Sequence, residues 1–412
     1  MAALTPQKSR INFRSYLWHA GFFALAANFM DTDTVIPAVL IKSGGGPLAV
    51  GILTAIMLGG SRLFQLLFAG LFESLPYKKK YLVLGILLRV FSLFLTAATL
   101  WFSARMTPAV LIGMIFFAMT LFSVSGSLAN VPYIDILGKS ILADDRKRFF
   151  SVKQVVNSIG ILLSAFAVRY VLKGHAFPVN YSISFVLAAG LLLVASFGFM
   201  NIREVESPPK NRDALFSFLR RIGPELKKYP NLVNYLFILN TTGLAITFTP
   251  FMVMMARDHF GISAGLVGNI LILKVLGMLV PGTLLYFIHR KYSFKRVLVV
   301  SVIVGASLPV LSLVLVGNPA LYQLLFILSG VFLGLYKIAI NGILIEISTE
   351  ENRTFFAGIT GAGNILASLL PVFSGMFIVL FGYRAVFLAM AGLILAGLFF
   401  AVKLNCNPEK KK

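Results

Sequence analysis

Eight ionisable residues lie inside stretches that are otherwise apolar enough to sit in hydrocarbon: Asp31, Asp33, Arg62, Arg89, Asp135, Arg169, Lys274 and Lys337. A charge in that medium costs at least roughly 2.5–3.5 kcal/mol on insertion scales, so each needs a partner, water or a function. Carboxylates so placed can carry protons or meet cationic groups, because desolvation favours their neutral form. Bases so placed can neutralise those acids or hold an anionic solute. Bases outnumber acids in this set, which tilts the chemistry toward an anionic or zwitterionic partner.

A rise of about 1.5 Å per residue puts Asp31, Asp33 and Arg169 at similar depth, about 24–27 Å from the inner ends of their segments. An Asp33–Arg169 ion pair is the structural expectation, and Asp31 is then the leading carboxylate for a proton or a cationic group. Lys274 falls near mid-membrane, where it pairs with an acid such as Asp31 or holds an anionic group. Arg62 and Arg89 are expected to pair with Glu73 or Asp135 as gates, and Lys337 to reach the region of Glu346. Asn28, Asn130, Tyr133, Gln154, Asn157, Asn240, Thr241, Asn341 and Asn364 add uncharged polar groups, mostly for hydrogen bonds between helices. Gly330 and Gly334 carry the spacing of a close helix contact, and Pro132, Pro250, Pro281 and Pro371 interrupt helical bonding. No HExxH, no histidine cluster, no paired acids at metal-ligand spacing and no GxxxxGK[ST] loop occurs, so neither an enzyme nor a nucleotide-driven pump is expected, and no metal or cofactor.

The elements that carry these residues are membrane helices. Of 412 residues 58% are hydrophobic and 13% charged, and the mean hydropathy is +0.88, which excludes a soluble domain. Twelve stretches reach the roughly 20 apolar residues needed to span a bilayer: 15–41, 47–72, 81–102, 108–138, 152–172, 181–202, 231–256, 264–289, 297–316, 320–345, 355–380 and 384–403. Between the sixth and seventh lies the one long polar segment, 203–230, with seven bases, four acids and four prolines. Most of the 37 lysines and arginines fall at the N-terminus, in this segment, in the other connections after even-numbered stretches and in the C-terminal tail. Both termini are therefore expected in the cytoplasm, and the formal charge of +22 reflects topology rather than a nucleic-acid surface. Ala24-Leu25-Ala26 could pass for a signal-peptidase site, but the first stretch has a counterpart in the second half and is read as retained. The single cysteine, Cys406, offers no disulfide framework.

The two halves repeat. Asp144-Asp145-Arg146-Lys147-Arg148-Phe149-Phe150 lies over Glu350-Glu351-Asn352-Arg353-Thr354-Phe355-Phe356, and Ile161-Leu162-Leu163-Ser164 over Ala367-Ser368-Leu369-Leu370. Val50-Gly51-Ile52-Leu53 matches Val267-Gly268-Asn269-Ile270, and Lys78-Lys79 matches Lys295-Arg296. Two six-helix halves joined by a cytoplasmic segment resemble the major facilitator superfamily along nearly the whole chain. Gly70-Leu71-Phe72-Glu73 followed by Lys78-Lys79-Lys80 resembles that family's loop motif of glycine, acid and basic run. It departs in having Ser74 for the usual base, an inserted Leu75-Pro76, and Tyr77 for the second glycine.

The resemblance implies an all-α protein of twelve transmembrane helices, divided into 1–202, 203–230 and 231–412. It implies alternating access about a midplane site, with Glu73 inheriting a lock on the outward-facing state. The glycine-rich, proline-containing signature that proton-exchanging exporters of the family often carry is absent from VKQVVNSIGILLSAFAV in the fifth stretch. The expected protein is a monomeric secondary transporter in the cell membrane, moving a small organic solute with protons as coupling ion. A lipid or lysolipid flippase on the same scaffold is the alternative.

Overall fold

A computed structural model describes residues 4–60, 64, 68, 72, 75–206, 214–261, 263–287, 293–348, 356, 359–360 and 365–405. Among these residues the regular structure is helical throughout. Helices long and apolar enough to cross a membrane number ten, with a shorter apolar stretch at Pro47–Gly60. The tenth, Ala367–Lys403, holds two of the expected segments, which meet at Gly382, where φ is 76°.

In chain order the helices are α1 (Pro6–Ala27), α2 (Val35–Lys42), α3 (Pro47–Ala55), α4 (Lys79–Trp101), α5 (Pro108–Ser140), α6 (Ala143–Gly174), α7 (Val179–Met200), α8 (Ala214–Lys228), α9 (Pro230–Thr241), α10 (Thr249–Phe260), α11 (Ala264–Phe287), α12 (Phe294–Leu315), α13 (Pro319–Ile347) and α14 (Ile365–Lys403). Two departures from the expected segments matter. The first apolar stretch starts earlier, at Pro6 under a Thr5 cap, and is broken: a 3-10 turn at Asn28–Met30 separates α1 from α2. The seventh is broken the same way, with a 3-10 segment at Thr242–Thr247 between α9 and α10. Polar, β-branched and glycine residues (Asn28, Thr32, Thr34; Thr241, Thr242, Gly243) lie at the breaks, where side chains compete for backbone bonds.

The chain divides into two compact units, residues 1–44 with 56–218 and residues 45–55 with 219–412. This boundary differs from a cut at the central segment, because α3 packs with the second unit, on α14. Gly51 and Gly375 make that contact: a Cβ on either would run into the backbone of Pro371 or Pro47. Directly after α3 the chain turns π-helical over Ile56–Gly60 and enters the first unit, where Ser123 Oγ donates to the Ile56 carbonyl (2.7 Å). Within the second unit Gly330 seats on the Lys274 carbonyl, which accounts for the Gly330 and Gly334 spacing.

Each unit ties its helix ends with the same clasp. In the first, Asn12 Nδ2 donates to the Arg203 carbonyl (3.0 Å) and the Arg203 N–H donates to Asn12 Oδ1 (2.7 Å), while Lys79 Nζ donates to the Met200 and Ile202 carbonyls (2.6 and 3.0 Å). In the second, Asn231 and Asn405 exchange the same two bonds (2.9 and 3.1 Å), and Lys295 Nζ donates to Val402 and Leu404 (both 2.8 Å). The repeat read from the sequence thus has a physical function: it closes the exposed carbonyls where the last helix of each repeat ends. Asn12 is fully buried and also donates to the Ser140 carbonyl, whereas the Asn231 bonds face solvent. Asn12→Ala should therefore destabilise the detergent-solubilised protein by about 2–3 kcal/mol and Asn231→Ala by about 1 kcal/mol or less; equal losses in chemical-denaturation curves would contradict this asymmetry.

Candidate functional site

The break in the first repeat is held by Asp31. Its Oδ1 accepts from the Thr34 N–H (2.8 Å), the Thr34 hydroxyl (2.8 Å) and the Asp33 N–H (3.1 Å), and its carbonyl accepts from the Ile36 N–H (3.0 Å). The residue expected to present a carboxylate from a continuous helix instead holds the turn that leads into α2: its side chain ties Asp33 and the N-cap residue Thr34, and its backbone carbonyl takes the Ile36 N–H of the helix's first turn. Asp33 Oδ1 accepts from the Thr32 hydroxyl (3.2 Å). Asn28, buried, donates from Nδ2 to the Ile161 carbonyl (2.6 Å) on α6, and its N–H donates to Ser164 Oγ (3.3 Å). The second repeat also has an asparagine near its break: Asn240 Oδ1 accepts from the Ala367 N–H (3.1 Å) on α14. Ile161 and Ala367 are residues that the repeat superimposes, so each asparagine reaches the corresponding helix, although the two stand at different positions of their own helices and bond different backbone groups, the Ile161 carbonyl and the Ala367 N–H.

A cavity of about 220 Å³ opens within the first unit. Its polar lining is His19 from α1, Arg89 from α4, Asn130 and Tyr133 from α5, and Lys153 and Asn157 from α6. Arg89 lies over the Phe122 ring, 4.0 Å from its centroid, and beside Gly126. Its Nε is enclosed without a hydrogen-bond partner. Lys153 Nζ donates to the Tyr133 hydroxyl (2.6 Å). His19 is stacked on Phe199, with ring centroids 3.9 Å apart.

At the end of the unit where residue 203 lies, charge pairing is dense. Asp135 Oδ2 accepts from both Lys78 and Lys139 Nζ (3.1 Å each), and Lys139 also meets Glu204 (3.1 Å). Glu204 is almost wholly buried and accepts the N–H groups of Lys78 and Lys79 (2.8 Å each), a carboxylate on the N-terminus of α4. Of the two acids expected for Arg89, Asp135 is engaged by lysines and Glu73 lies outside the described residues; an aromatic face sits against the guanidinium.

Lys274 is buried on α11, and Arg169 lines a separate groove with Tyr170, Lys173 and His175. Arg62, Gly70, Glu73 and Asn364 lie outside the described residues. Three contributors were missed in the sequence. Lys153 and His19 fall at the edges of the expected stretches 152–172 and 15–41, but α6 begins at Ala143 and α1 at Pro6, so both lie well inside their helices and line the cavity. Glu204 falls in the polar segment 203–230; its one signal is an acid two residues beyond the end of the apolar stretch 181–202. Among the described residues no group of three or more His, Cys, Asp or Glu is arranged to hold a metal ion.

Residues 235–412 match the family model described as Major Facilitator Superfamily. The nucleoside transporter NupG superposes with a TM-score of 0.68 at 14% identity, covering 96% of this chain and 99% of that one. A POT family transporter in complex with 5-aminolevulinic acid gives 0.68 at 12% identity, over 97% of both chains. A bacterial homologue of the human lysosomal transporter Spinster gives 0.59 at 11% identity, over 97% and 96%. No curated protein sequence matches. The chain has the fold of the major facilitator superfamily, and its second half carries that family's sequence pattern.

Because Glu204 joins a helix N-terminus and a lysine in a nearly dry position, Glu204→Gln should cost about 2–3 kcal/mol. Asp135→Asn, at a carboxylate 37% exposed, should cost about 1 kcal/mol or less. Thermal melts in detergent would check the order of the two.

Proposed function

On the premise of this fold, we propose that the protein is a secondary transporter that moves a small organic solute across the cell membrane by alternating access, with protons as the coupling ion and both termini in the cytoplasm. The observation that carries the reading is the matched pair of breaks, one in the first transmembrane segment of each repeat, each tied by an asparagine to the corresponding helix. Interrupted helices are the way such folds bring backbone groups to a solute and a coupling ion near mid-membrane, because non-helical backbone at that depth survives only beside protein or a polar path.

Proton coupling is assigned to the same place. The Asp31 carboxylate accepts three bonds at one oxygen, all from Asp33 and Thr34 in the turn that leads into the eight-residue α2. A proton on it removes acceptor capacity, so protonation loosens that turn. The proton is thereby linked to the geometry of the break rather than to an isolated carboxylate.

The test is a proteoliposome assay with an internal pH dye and separate pools of anionic, cationic and neutral metabolites. Solute-dependent proton movement in the wild type is expected, reduced at least tenfold in Asp31→Asn, whose amide oxygen can still accept the bonds of the turn but takes no proton. Uptake without proton movement would refute the coupling; no uptake from any pool, with lipid scrambling in the same vesicles, would replace the transporter by a flippase. Topology has its own check in the native single cysteine: a membrane-impermeant maleimide should label Cys406 only after the cells are permeabilised.

A further inference from the structure

The cavity inside the first unit holds two cations and no carboxylate among its lining residues. Arg89 stays protonated in any protein environment. Desolvating such a charge costs several kcal/mol even after relaxation, whereas the contact with Phe122 returns about 0.5–2 kcal/mol. The aromatic face therefore does not balance the guanidinium. Among the described residues, the acid expected for it, Asp135, is already shared by Lys78 and Lys139. Lys153 adds a second positive charge to the same small volume, anchored by the Tyr133 hydroxyl; that bond leaves the phenol proton available for another acceptor. Asn130 and Asn157 bring amide donors to the same lining.

From these residues we infer that the cavity is a binding site for an oxyanion, the carboxylate or phosphate end of a small organic acid, and that this acid is the transported solute. The class of solute rests on the transporter reading above; the anion site itself does not. The volume, about 220 Å³, equals about seven waters in the liquid and suits a metabolite-sized acid rather than a drug-sized molecule. The guanidinium supplies a planar fork for two oxygens and the ammonium a point charge. Gly126 faces the guanidinium, and a Cβ there would lie in ordinary van der Waals contact with it, 3.4 Å from Arg89 Cζ.

The experiment uses the purified full-length protein in neutral detergent, at constant ionic strength made up with sodium chloride. Sodium succinate, inorganic phosphate and, as a lipid headgroup source, phosphatidylglycerol are titrated against melting temperature, with choline chloride and glucose as controls. Saturable stabilisation by succinate or phosphate is expected, with apparent affinity at least roughly tenfold weaker in Arg89→Gln and in Lys153→Gln, the loss of one charge-assisted contact. Two variants are used so that one that fails to fold leaves the other informative. No saturable effect of either free anion, an equal effect in wild type and variants, or a response to phosphatidylglycerol alone would each overturn the site. In the proteoliposome assay the two readings separate. Anion binding without transport would leave the site standing and remove the transporter, and transport indifferent to Arg89→Gln would do the reverse.

Discussion

A bilayer core offers no solvent to a stray N–H, carbonyl or charge, so every such group in this chain must be satisfied from within. That constraint is most severe where helices stop being helices. At the break after α1, Asp31 and Asn28 supply what the backbone has lost: one carboxylate oxygen takes three donors, and one amide reaches the carbonyl of Ile161. Without them the residues between α1 and α2 would carry orphan donors into hydrocarbon at a cost of several kcal/mol each. The polar residues at the break are thus first of all a condition of its existence, and any role in transport is built on that condition.

The repeat expresses the same economy twice. Both units close the carbonyl end of their last helix with a lysine from the start of the third segment of their repeat, and both lock the following residue with an asparagine from the start of the first. What differs is the surrounding charge. In the first unit Glu204 follows the clasp and draws Lys139 and the N-terminus of α4 together; at the matching offset the second half has Cys406 in place of an acid. Among the described residues the copies therefore share these hydrogen bonds to the backbone, and the first unit adds ion pairs around its clasp.

Charge placement separates bracing from chemistry. Lys78, Asp135, Lys139 and Glu204 neutralise one another at one end of the first unit and have little left to offer a ligand. Among the described residues Arg89 and Lys153 stand apart, the first against the Phe122 ring and the second held by the Tyr133 phenol. A scaffold that can pair four charges so closely has left two of the same sign facing one cavity, and that contrast singles out the cavity chemically.

The sequence by itself determined the class of the protein, because span length and charge bias are properties of consecutive residues: twelve apolar stretches, a polar middle and two superimposable halves are all legible in one dimension. It also located Asn28 and Asp31 as residues that need a reason. Tertiary structure alone decided what those reasons are, since a hydrogen bond from Asn28 to Ile161 spans 133 residues and has no local signature. The same holds for Lys153 and His19, which read as end residues until helices starting nine residues earlier carried them into the interior. Arg89 was visible as a cost but not as a site. Whether a buried cation meets an acid, a ring or a cavity depends on which helix packs across from it, and that is fixed only in three dimensions.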